Sequence, residues 1–108
     1  MSAAERDSQA AAEKAQRAQL AAQTEIDDLL WLMSDKRGRR FVWRQLVRSG
    51  IYRTSFNTDP LAMAFAEGRR NEGLSLLDEI NRHCADRVSE MQKEARANER
   101  RKESKPQA

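Results

Sequence analysis

The sequence predicts an all-α fold. It reads as a long helix, a short basic helix, an aromatic-bearing turn and a second long helix, arranged as a helical hairpin or bundle with extended arms. Three observations carry this reading. Residues 3–33 contain neither glycine nor proline and are rich in Ala, Gln, Glu, Lys and Arg, the strongest helix formers. Gly50 and Asp59-Pro60 punctuate the middle of the chain, and no proline follows until Pro106. From Leu77 the apolar positions Leu77, Ile80, Cys84, Val88, Met91 and Ala95 recur at steps of 3, 4, 4, 3 and 4, a coiled-coil-like seam.

The first helix is expected from Ala3 to about Met33. Its first twenty residues carry alanine but almost no large apolar side chains, so that part has little to bury and would be exposed or ordered by a partner. Packing begins at Leu20 and Ile26. Leu30 and Met33 follow Ile26 at four and seven residues, on one helical face. Trp31 lies beside that face, as core edge or partner anchor. Ser34 and Asp35 end this helix, and either can cap the next.

The second helix is expected to reach about Ser49, with Gly50 as a left-handed stop. Gly38 sits near its start, where its use would be a close approach of another backbone. In the turn that follows, Tyr52 and Phe56 are expected to plug the gap between helices. Asp59 suits an N-cap and Pro60 the first helical position, where no N–H is needed. The third helix is then expected as one run from Pro60 to about Arg101, with Gly68 and Gly73 permitting a helix crossing or a bend. The division follows: an exposed alanine-rich arm over 1–25, a helical core module over 26–92, and a charged, disordered tail over 93–108.

At 108 residues the chain forms one domain at most. Charged residues make up 34% and aromatics 6%, and the mean hydropathy is −0.90. A core that small is marginal alone, so self-association or docking on a larger partner is expected. The longest strongly apolar run, Leu29–Met33, is far short of the ~20 residues of a membrane span. The first sixteen residues hold no apolar stretch of the secretory kind.

Charge is distributed unevenly. Residues 1–33 carry three basic and six acidic side chains, whereas residues 34–58 carry seven basic side chains against Asp35 alone. Arg37, Arg40, Arg44 and Arg48, spaced three, four and four, form one stripe on the second helix. Such a stripe can meet DNA phosphate or an acidic protein surface, or serve only as a solvated face. The triplet Gly38-Arg39-Arg40 recurs as Gly68-Arg69-Arg70. Glycine beside paired arginines would let helices cross while the arginines reach carboxylates. Neither copy has the spacing of a phosphate-binding loop.

No catalytic constellation is legible. His83 is the one histidine and Cys84 the one cysteine. Adjacent helical residues diverge, so they do not make a ligand pair. Asp27/Asp28 and Asp78/Glu79 are neighbours in sequence and not dyads for the same reason. No metal and no cofactor is expected, and the chain reads as a binding or assembly module without enzymatic activity.

Several residues carry a resemblance. They are Gly38-Arg39-Arg40-Phe41, Trp43-Arg44, the Gly50-Ile51-Tyr52-Arg53 turn, Ser55-Phe56, Pro60, Met63-Ala64-Phe65 and Glu67-Gly68-Arg69-Arg70-Asn71 with Gly73 and Leu74. Over about residues 29–82 the chain resembles a family of small proteins of short-tailed bacteriophages and related prophages. The resemblance implies a virion-associated or assembly protein, made in the host cytoplasm, and not an enzyme. Its expected partners are phage structural proteins or further copies of itself. It would pack against the capsid interior, the portal–tail region or internal ejection proteins. The alternative is a DNA-binding accessory protein acting in packaging or ejection through the arginine stripe.

Overall fold

The computed structural model describes residues 1–104, which form three helices: α1 (Ala3–Ser34), α2 (Lys36–Ser49) and α3 (Pro60–Ser104). Among the described residues there is no strand, and the fold is all-α. The molecule is elongated, with extents of 77 × 39 × 21 Å.

Each boundary has a local cause. Ser2 caps α1 by accepting from the Glu5 backbone N–H at 3.1 Å. Asp35 leaves helical geometry (φ −109°, ψ 140°) and accepts from the Arg37 N–H at 2.7 Å. One side chain thus separates α1 from α2 and satisfies a free donor at the new helix start. Gly50 ends α2 at φ 83°, with its N–H donating to the Val47 carbonyl. Asp59 accepts from the Leu61 N–H at 3.1 Å, and Pro60 follows as the first residue of α3.

The core is small and continuous. Leu29 and Met33 of α1, Val42 and Leu46 of α2, Ile51 of the turn, and Ile80, Val88 and Met91 of α3 pack as one cluster. Burying each such side chain contributes about 1.5–3 kcal/mol. Helix α2 lies at the centre and packs mainly on α3. Residues 1–25, which include most of α1, are exposed throughout.

Two glycines permit the crossings. A Cβ on Gly38 would fall 1.8 Å from the Leu32 backbone oxygen, and one on Gly73 would fall 1.9 Å from Ser49 Oγ and 2.7 Å from Ile51 Cγ2. Gly68, expected at such a crossing, faces open space with nothing within 4 Å. The close contact on α3 is made by Gly73, five residues on.

Other expectations are revised. Helix α3 is not one run: Cys84 has φ −153° and ψ 57°, so two helical segments meet at a kink. Ile80 before the break and Val88 and Met91 after it join the same core. The gap beyond α2 is filled by Ile51, which is buried, while Phe56 stays exposed. Gly50 turns the chain so that the next side chain returns onto the helix end, leaving Phe56 too far along to reach it. Tyr52 is half-exposed and packs on Trp43, ring centroids 5.5 Å apart. In the region expected as a disordered tail, residues 93–104 are helical and Ala95 is buried. The last part of that tail, 105–108, lies outside the described residues.

Candidate interaction surface

Helix α2 divides its arginines between two environments. Arg39 shares its face with Val42 and Leu46, three and seven residues on, and is buried with them. Its Nε donates to Glu94 Oε1 at 3.0 Å and its Nη2 to the same oxygen at 2.7 Å. Nη2 also lies 3.2 Å from Glu90 Oε1, and Nη1 donates to the Met33 carbonyl at 2.9 Å. One guanidinium therefore ties α2 to the end of α1 and to the second segment of α3. The hydrogen bond it donates to Glu94 holds the Arg39 pKa above its ordinary value against the opposing effect of burial. The Arg87 guanidinium, and then Arg39, hold the Glu90 carboxyl below the usual carboxylate range.

Arg37, Arg40, Arg44 and Arg48 are exposed and form no ion pair among the described residues. Arg44 lies over the Phe41 ring at 5.7 Å, a contact that holds the side chain along the helix surface. Arg40 and Arg44 also line a cleft of about 370 Å³ floored by Trp43 and Ala95. Across it stand Arg101 and Lys102 of α3. The basic surface is thus wider than α2 alone and includes residues from the region read as a tail. On the other side of Trp43, with Tyr52, a second cleft of about 440 Å³ runs beside Arg96 and Arg100. Burial pushes the Tyr52 hydroxyl pKa up.

The second triplet behaves differently from the first. Arg69 donates to the Arg48 carbonyl at the end of α2 and lies over Phe65 at 5.8 Å. Arg70 is partly buried, and its Nε has no hydrogen-bond partner among the described residues. With Arg53, Thr54 and Ser55 these two arginines line a cleft of about 250 Å³. Glu67 accepts a hydrogen bond from Ser55.

Beside these charges lies apolar surface outside the core. Leu61 is 81% and Phe65 69% exposed, one turn apart at the start of α3, and Phe56 before them is 74% exposed. On α1, Trp31 is 76% exposed. His83 is exposed. Cys84 is partly buried, and burial pushes its thiol pKa up. Among the described residues no group of three or more His, Cys, Asp or Glu is arranged to hold a metal ion. No described helix is long and apolar enough to cross a membrane.

The second Gly-Arg-Arg, the turn around Arg53 and the buried Arg39 all fall inside one segment that known proteins share. Comparison with curated proteins and with solved structures finds no match to the chain. Residues 29–93, from the first buried leucine of α1 to the segment that pairs with Arg39, match the family described as Bbp19-like phage protein, and the chain belongs to that family.

Proposed function

We propose that the protein is a non-enzymatic structural component of a short-tailed phage particle. It docks by its helices onto the capsid interior, the portal–tail region or internal ejection proteins. The observation that carries this reading is the apolar surface outside the core. Leu61, Phe65 and Phe56 cluster at one end of α3, and Trp31 projects from α1. Several large apolar side chains left exposed on a small polar chain mark a protein contact. The elongated shape, 77 Å in its longest extent, supports the same reading. Mass spectrometry of purified particles, washed with nuclease and high salt, tests it. Retention of the protein is the expected result, and its absence from purified virions overturns the proposal.

A second reading, contact with packaged DNA, is favoured by one observation. The exposed stripe makes no ion pairs among the described residues and is joined across a cleft by Arg101 and by Lys102, which is paired with Glu99. Cations in such an array neutralise phosphates and release counterions, so affinity falls steeply with salt. On this reading Arg40→Glu with Arg44→Glu abolishes duplex binding in a fluorescence-anisotropy titration at low salt. Binding that is unchanged by the pair, or insensitive to salt, refutes it.

A further inference from the structure

We infer that the second Gly-Arg-Arg segment and the turn facing it form a carboxylate-binding cleft. An acidic side chain of the docking partner enters it while neighbouring apolar side chains of that partner cover Leu61 and Phe65. This rests on the docking reading above and gives the partner a chemistry: an acidic–apolar protein segment.

Three arginines line the cleft: Arg53 from the turn, and Arg69 and Arg70 from α3. None of them forms an ion pair among the described residues. Arg69 is held in place by the Arg48 carbonyl and the Phe65 ring. Arg70 keeps a buried Nε with no acceptor. Arg53, Arg69 and Arg70 thus bring three cations to one small cleft with no carboxylate paired to any of them among the described residues. Thr54 and Ser55 line the same cleft, the Ser55 hydroxyl donating to Glu67. Guanidinium groups bind carboxylates in a planar two-pronged geometry, with stronger bonds than neutral donors give. The cleft has about 250 Å³, which suits a side chain and not a helix.

The surroundings favour a singly charged group with an apolar body over a phosphate. The cleft lies against the C-terminal end of α2, where Ser49 and Gly50 line it. The partial negative charge of a helix C-terminus opposes a dianion more than a monoanion. Glu67, bonded to Ser55 beside it, adds to that opposition. Phe56, Leu61 and Phe65 stand exposed on the same end of the molecule, and a nucleic-acid backbone gives them nothing to bury against.

The test uses the full chain, with 15N-labelled arginine, titrated with 3-phenylpropionate as the probe. The Nε–Hε signals of Arg53 and Arg70 are expected to shift and saturate, whereas the isosteric 3-phenylpropionamide moves neither. Arg53→Gln, an exposed turn substitution, and Arg70→Gln are each expected to weaken binding about tenfold, the size set by losing one charge-assisted hydrogen bond. Circular dichroism of both variants confirms that they are folded. The proposal is overturned by an absence of saturable shifts, by equal shifts with inorganic phosphate, or by unchanged binding in both variants. Protein present in virions with no carboxylate response removes the cleft and leaves the docking reading standing. A carboxylate response in a protein absent from virions supports the cleft and removes the docking role.

Discussion

Arg39→Ala removes a cation whose partners cannot all replace it. The Arg39 side chain is 6% exposed and that of Glu94 19%. The truncation deletes the paired bonds to Glu94, the contact with Glu90 and the bond to the Met33 carbonyl. Removing one member of a buried ion pair costs about 3–5 kcal/mol, because the remaining charge stays desolvated. Glu94 keeps partial access to water, which places the expected loss near the lower end, about 3 kcal/mol. Domains of this size have only about 5–15 kcal/mol in total, so Tm is expected to fall by about 12–20 °C. Urea unfolding followed by circular dichroism measures the change. The variant Arg39→Met with Glu94→Leu removes both charges and fills the space with apolar atoms. It is expected to return to within about 1 kcal/mol of the parent, since a buried pair and a well-packed apolar substitute are often equivalent. A loss below about 1 kcal/mol for Arg39→Ala, or a double variant no more stable than the single one, would show that the pair is effectively solvated and refute the reasoning.

Glycine substitutions on the two triplets are expected to have opposite signs. Gly68→Ala points into open space within a helix and is expected to stabilise by about 0.5–1 kcal/mol through helix propensity. Gly38→Ala meets the Leu32 carbonyl oxygen and is expected to cost about 2 kcal/mol or more by forcing α1 off α2; thermal melts separate the two. Acid stability follows from Glu90. Its carboxyl pKa is held below the ordinary range by Arg87 first and Arg39 after it. Its contribution to stability is therefore present above the unfolded carboxylate value of about 4.3 and is lost as pH falls through the lower folded value. Glu90→Gln is expected to flatten the acid limb of Tm against pH while leaving its shape near neutral pH unchanged. A parallel acid limb in the variant would contradict that assignment.

The fold was legible where local chemistry decides it. Asp35, Gly50 and Asp59-Pro60 act on their own neighbours, and their roles depend on the two or three residues beside them. Cys84 is the counterexample. No glycine or proline stands there, and the seam from Leu77 to Ala95 runs through it with unbroken spacing. The break exists only in the packed chain, where both segments reach one core. The choice between Gly68 and Gly73 depends likewise on which of them faces Ser49 and Ile51. Arg39 had a readable signal that the stripe obscured: it is in phase with Val42 and Leu46, whereas Arg40 and Arg44 are not. Arg101 and Lys102 lack any such signal, because only the return of α3 past Trp43 brings them opposite Arg40 and Arg44. Leu61 and Phe65 show the remaining limit. They stand one turn apart and exposed, and no spacing signal separates them from the buried positions of the same helix.

The contact between Gly38 and Leu32 also sets a direction. Helix α1 projects from that point, and residues 1–25 are exposed throughout. At 1.5 Å per residue its 32 residues span about 48 Å. A change of about 10° at the contact would swing the free tip by about 8 Å, more than the width of one side chain. A methyl group at Gly38 therefore acts at two distances: it loosens a core contact locally, and it re-aims a lever. A variant that is stable enough to fold would still carry its arm at a different angle to the core.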